Sequence, residues 1–166
     1  MAAVEVFAMN NPNSTCTAAS LTWCYMLLAR TATPAAALFL PSDPTLARNM
    51  DNIKDQDHDP ANQVALMGMQ IVSTRASVLS STEITEAFKN HAPHVGIFWN
   101  SFHTVGYSYA HLDKHYFDNN VGLWKAKKTA DLVAKMESIR TGNSYGSWAG
   151  YAVLKLAERF KLPKIK

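Results

Sequence analysis

Cys16 stands where Asn10-Asn11-Pro12-Asn13-Ser14-Thr15 gives way to the apolar run Thr17-Ala18-Ala19-Ser20-Leu21-Thr22-Trp23. This puts a thiol at the junction of loop and helix, where unpaired N–H groups and the positive end of the helix dipole favour thiolate. Far downstream follow Phe102-His103-Thr104-Val105 and Tyr116-Phe117-Asp118-Asn119-Asn120-Val121-Gly122. Thiol, imidazole and carboxylate are the parts of a nucleophilic catalyst. Cys16 would attack, His103 would serve as base and then acid, and Asp118 would fix the imidazole tautomer and stabilise its charged form. A tetrahedral oxyanion needs donors beside the thiol. The Cys16 backbone N–H and a side-chain amide from Asn10, Asn11 or Asn13 are at hand, with Asn11 preferred.

These parts need a helix and a sheet to hold them. Ser14 or Thr15 can cap a helix from Cys16 to Ala29, with Leu21, Cys24, Leu27 and Leu28 at helical spacing. It is apolar nearly all round, which predicts a central, buried helix. Pro34, Pro41 and Pro44 mark an irregular connection with a short turn over Ala35–Phe39. Asp55-Gln56-Asp57-His58-Asp59 mimics the start of a calcium loop, but Pro60 stands where the loop needs Gly and Leu66 where it needs Glu. Asp59 reads better as an N-cap with Pro60 at the first position of a helix to Met67. A strand over Met69–Thr74 and a capping box Ser80-x-x-Glu83 opening a helix to Asn90 come next.

The second half changes character. Val95–Trp99, Phe102–Tyr109, His115–Asp118 and Leu123–Lys127 are strand-like, with aromatic and β-branched residues between turn signals. Thr129–Ile139 reads as an amphipathic helix with Gly142 as its stop, and Ser147–Leu154 as a final strand. Helices first and an antiparallel sheet afterwards give an α+β fold. A hairpin turn at Ala110–His111 sets His103 directly opposite Asp118. A turn centred one residue later sets it opposite Asn120, with Asp118 as the same-face diagonal neighbour, and both registers allow a carboxylate–imidazole hydrogen bond.

Composition narrows the rest. At 166 residues the chain is read as one domain, residues 1–166, long enough to bury a core. No apolar run is long enough to span a membrane, since Arg30 and Pro34 interrupt Leu21–Leu40. The N-terminus lacks the charge and cleavage pattern of a secretory signal, so either a signal-peptide-independent export route or a cytoplasmic location is expected. Cys16 and Cys24 lie about 12 Å apart along one helix, too far to bridge, which suits a reducing compartment. Cys24 is read as a small buried apolar residue. The net charge of +3 belongs to the tail, where five basic residues from Lys155 onward face the single Glu158. A solvated terminus is the preferred reading of that tail, with contact to an anionic membrane as its alternative. Basic residues are not interleaved with aromatics, so no nucleic-acid partner is expected. No cofactor and no metal are expected: His111-x-Asp113-x-His115 could ligate a metal, but a solvated hairpin tip is preferred. Trp23, Trp99, Trp124 and Trp148 are assigned to the core before any substrate platform.

The pattern of Cys16 with Ser20 and Trp23, and of His103-Thr104-Val105 leading to Tyr116-Phe117-Asp118-Asn119-Asn120-x-Gly122, resembles the YopT/AvrPphB-type cysteine peptidases of the papain-like superfamily. Asn119 replaces the Pro common after the family's Asp, and Asn13-Ser14-Thr15 lacks the Gly that often precedes its Cys. The resemblance touches three segments and leaves residues 30–90 uncovered. It implies a papain-like fold, a helix bearing the Cys packed on an antiparallel sheet bearing His and Asp. It further implies a bacterial effector or toxin that cleaves proteins inside a target cell, in some members near a lipid-modified terminus. A protein or peptide substrate and a cognate inhibitor or immunity protein are the partners to expect. The same three groups also suit deamidation or transglutaminase-like acyl transfer. A non-enzymatic binding or immunity module would leave their alignment coincidental.

Overall fold

The computed structural model describes residues 3–8, 16–29, 61–76, 79–90, 94–100, 103–109 and 113–157. The elements are β1 (Val4–Ala8), α1 (Cys16–Leu28), a single turn α2 (Ala61–Val64) running into a 3-10 turn (Ala65–Met67), β2 (Met69–Ala76), α3 (Ser81–Asn90), β3 (Val95–Trp99), β4 (Thr104–Ser108), β5 (Lys114–Asp118), β6 (Gly122–Ala126), α4 (Thr129–Gly142) and β7 (Gly150–Leu156). The strands form one seven-stranded sheet in the order β1-β6-β5-β4-β3-β7-β2. Every pairing is antiparallel. The α+β architecture expected from the sequence is the one observed.

Apolar residues cover the sheet on both faces, which explains why β3 and β4 are buried along their whole length. On one face α1 lays Ala18, Leu21, Trp23, Cys24 and Leu27 against Val95, Ile97 and Trp99 of β3, Phe117 of β5 and Leu154 of β7. On the other, Ile84 and Phe88 of α3 and Leu132, Val133, Met136 and Ile139 of α4 close over Phe98, Val105, Tyr107 and Tyr116. Alternation along each strand sorts its residues between the faces.

Two details fix α1 over the centre of the sheet. The Trp23 ring stacks on Phe117 at 5.4 Å between centroids. Gly106 of β4 lies directly beneath: a Cβ there would meet Trp23 Cε3 at 2.8 Å, so only glycine admits the helix this close. The Cys24 thiol donates to the Gly96 carbonyl at 3.3 Å, as its structural reading requires.

Most expected elements hold within a residue or two. The capping box is made in both directions, with each partner's N–H bonded to the other's side chain at 3.2 Å. The hairpin pairs Gly106 with Phe117 and Tyr107 with Tyr116, which is the later of the two turn centres considered. Three points differ. β1 was not foreseen; it has only five residues, and Val4, Glu5 and Val6 are all exposed, so no buried face marks it. β7 begins and ends later than Ser147–Leu154. Gly142 does not stop α4 but is its last helical residue. Asn143 caps the end, donating through Nδ2 to the Ile139 carbonyl at 2.8 Å, and the chain turns left-handed at Ser144. The expected caps Ser14 and Thr15, the Ala35–Phe39 turn, the acidic stretch with Asp59 and Pro60, His111 of the metal alternative and the basic tail from Glu158 onward lie outside the described residues. Among the described residues no helix is long and apolar enough to cross a membrane.

Candidate active site

β4 and β5 bring His103 and Asp118 together. His103 precedes the first residue of β4 and Asp118 ends β5, so the hairpin register makes them diagonal neighbours at one end of the sheet. His103 Nε2 lies 2.8 Å from Asp118 Oδ1, with both side chains buried. Cys16, the first residue of α1, comes close enough to the same imidazole that each group shifts the titration of the other. With Nε2 held by Asp118, Nδ1 is the ring nitrogen left for the sulfur.

The α1 terminus is tied to β4 by hydroxyls. Ser20 Oγ donates to the Thr104 carbonyl at 3.1 Å, and the Thr17 and Thr104 hydroxyls meet at 3.0 Å. The Thr104 backbone and the Thr17 hydroxyl lie beside the Cys16 sulfur and favour its charged form. Burial pushes the thiol up, but the His103 hydrogen bond and charge, followed by these two donors, outweigh it and bring the Cys16 pKa below the usual thiol value. Burial pulls the His103 imidazole down. The Asp118 and Cys16 interactions more than offset that and raise it to about 9. The two shifts run in opposite directions, the thiol down and the imidazole up, and each favours the charged form of its group.

Asp118 is saturated with donors. Oδ1 accepts from His103 Nε2 and from the Asn120 N–H at 2.9 Å. Oδ2 accepts from Tyr145 Oη at 2.9 Å and Tyr116 Oη at 3.2 Å. Burial first, and then the Asp118 charge, push both phenols above the usual tyrosine value, so they stay protonated and act only as donors. The turn after Asp118 closes with the Val121 N–H on the Asp118 carbonyl at 3.0 Å, and Gly122 takes φ 136°. Asn119 and Asn120 are therefore a turn, as the plainer reading had it, and that turn supplies a donor to the acid.

The sequence-based reading named Cys16, His103 and Asp118, and all three converge. Asn10, Asn11 and Asn13, considered for the oxyanion, lie outside the described residues. Among the described residues no cluster of His, Cys, Asp and Glu could hold a metal ion. Asp113, from the metal alternative, has Oδ2 3.9 Å from Lys125 Nζ. That reading missed Tyr145, Asn100 and the Thr17–Thr104 pair. Tyr145 carried one usable signal: a large aromatic set among Gly142-Asn143-Ser144 and Gly146, where turn residues alone are expected.

No protein-family model matches the chain, and no curated protein sequence matches it. Solved structures do match in fold. The Pseudomonas avirulence protein AvrPphB superposes with a TM-score of 0.58 at 13% identity, covering 95% of this chain and 96% of that one. PatoxP, a cysteine protease-like domain of the Photorhabdus asymbiotica toxin PaTox, superposes with a TM-score of 0.61 at 10% identity. There the match covers 93% of this chain and 55% of the other. The chain thus shares the papain-like fold of these proteins.

Proposed function

We propose that the chain is a papain-like catalytic domain that hydrolyses amide bonds in proteins, as an effector or toxin acting in a target cell. The convergence of the Cys16 thiol on an imidazole already bonded to Asp118 carries this reading. The fold it shares with a cysteine protease-like toxin domain supports it.

Cys16 Sγ, its proton passed to His103 Nδ1, attacks the substrate carbonyl carbon, and the π pair moves to oxygen. The Cys16 backbone N–H is the donor for that oxyanion. Collapse breaks the C–N bond, and the leaving nitrogen takes the proton from Nδ1. Water then gives a proton to Nδ1, attacks the thioester carbon and releases the acid as sulfur regains its proton. Asp118 holds the ring with Nε2–H inward throughout, so that Nδ1 always faces the sulfur.

Mass spectrometry of candidate host proteins incubated with wild type and Cys16→Ala tests the reaction class. Fragments that appear only with wild type support proteolysis. A small mass gain on an intact chain would assign deamidation, and an added group acyl transfer. No Cys16-dependent product would favour a binding module.

A further inference from the structure

Asp118 and His103 depend on a residue outside the sheet. Tyr145 sits between α4 and β7 and belongs to the apolar cluster on the face away from α1. Its ring lies over the imidazole, 4.1 Å between centroids and inclined at 31°. Its hydroxyl bonds the carboxylate oxygen more remote from the imidazole. Cys16 comes to His103 from α1, whereas Tyr145 belongs to the cluster on the opposite face of the sheet.

The backbone is bent to achieve this. Ser144 takes φ 56° and Gly146 φ 81°, so Tyr145 stands between two left-handed residues. A non-glycine residue there is uncommon, and strain of this kind persists where surroundings over-determine it. Asn100 provides that constraint. Its Nδ2 donates to the Tyr145 carbonyl at 2.7 Å, its Oδ1 accepts the His103 N–H at 2.9 Å, and its own N–H donates to the His103 carbonyl at 2.9 Å. One buried amide thus ties the backbone of the imidazole to the backbone of the tyrosine.

We infer that Tyr145 is a positioning residue of this site: its ring seats the His103 imidazole and screens the His103–Asp118 bond from water, and its hydroxyl anchors Asp118 Oδ2 so that Oδ1 is presented to Nε2. The inference rests on the Cys16–His103–Asp118 reading above. Asn100 and the strained Ser144-Tyr145-Gly146 segment hold this aromatic in register with the histidine. The titratable groups that face the pair are Cys16 from α1, Tyr116 from β5 and Tyr145 itself, with Glu137 of α4 acting on Tyr116.

The test follows Cys16 alkylation by iodoacetamide against pH in the full chain, with unfolding temperature measured alongside. Tyr145→Leu removes ring and hydroxyl. It is expected to slow Cys16 alkylation at pH 6 about tenfold and move the midpoint of the profile towards that of an ordinary thiol. Tyr145→Phe keeps the ring but removes one of the four donors on Asp118, so its rate is expected to fall about threefold, between wild type and Tyr145→Leu, a partial rescue by the conservative variant. Tyr145→Met fills the same space without a ring and replaces Tyr145→Leu if that variant does not fold. A folded Leu or Met variant with wild-type rate and midpoint overturns the inference, even with a lowered unfolding temperature, because a merely structural role predicts that pattern. Wild type no faster than His103→Ala would instead overturn the triad reading and this inference with it.

Discussion

Two cysteines share α1, and their surroundings make opposite use of the same thiol. Cys16 opens the helix against an imidazole, a backbone donor and a hydroxyl, and its pKa falls. Cys24 lies two turns on, fully buried, with the Gly96 carbonyl of β3 as partner, and burial pushes its thiol far above the usual value. Helix, residue type and redox state are common to both. The comparison teaches that reactivity here comes from what the sheet presents to the helix. At the His103 end the sheet offers donors that stabilise charge, and at Gly96 it offers an acceptor that does not.

The largest contrast comes from deleting each sulfur. Cys16→Ala should lower amide hydrolysis by about a thousandfold or more while leaving the fold intact, read by turnover and by thermal unfolding. Cys24→Ala should leave turnover within about threefold and cost about 1–2 kcal/mol of stability in denaturant unfolding, as removal of a small buried group does. Equal losses from both would erase the contrast. Next comes Asp118→Asn, which should reduce turnover about a hundredfold and leave a measurable residue, because it orients the base without itself reacting. Its four donors then share a weaker acceptor, so unfolding should also come earlier.

The contrast also has a pH signature. Cys16 has a folded pKa below its unfolded value, so the stability it contributes is present above the unfolded pKa and is lost as pH falls through the lowered one. His103 is raised from 6.5 to about 9, so its contribution is complete below 6.5 and is lost as pH rises through about 9. Turnover should therefore be bell-shaped, rising with formation of the Cys16 thiolate and falling near pH 9 as the imidazolium loses its proton. A descending limb near pH 6.5 would show that Asp118 and Cys16 do not hold the imidazolium. The last effect, on stability and not on the site's chemistry, is expected at the glycine that lets α1 approach. Gly106→Ala drives a Cβ to 2.8 Å from Trp23 Cε3 and should cost about 1–3 kcal/mol in unfolding, with Cys24 accessibility rising as the helix lifts.

How much of this could be read in the sequence follows from where each signal resides. Helix α1, the capping box of α3 and the strands β3 to β6 announce themselves by periodicity or by local hydrogen-bonding chemistry, which neighbouring residues suffice to define. That Cys16, His103 and Asp118 come together in space was legible because a helix start and a hairpin register are local facts. β1 was not, because it is short and its residues Val4, Glu5 and Val6 are exposed, so no apolar stripe facing the core sets it apart. Tyr145 was not, because its value lies in contacts to His103, Asp118 and Asn100 across 27 to 45 positions, which no spacing rule encodes. The misplaced stop at Gly142 has the same origin. The chain keeps helical geometry through the glycine, and its left-handed residue is Ser144, next to the tyrosine it must deliver.

The central claim is that His103 activates Cys16 and that nothing activates Cys24. Its most direct test is the rate of alkylation of each thiol by iodoacetamide at pH 6, resolved by mass spectrometry, in folded wild type and His103→Ala. An ordinary thiol is under about 1% thiolate at that pH. The account predicts Cys16 modified about a hundredfold faster than Cys24 in wild type, with the Cys16 rate falling at least about tenfold in His103→Ala. A Cys16 rate unchanged by loss of His103 would contradict it.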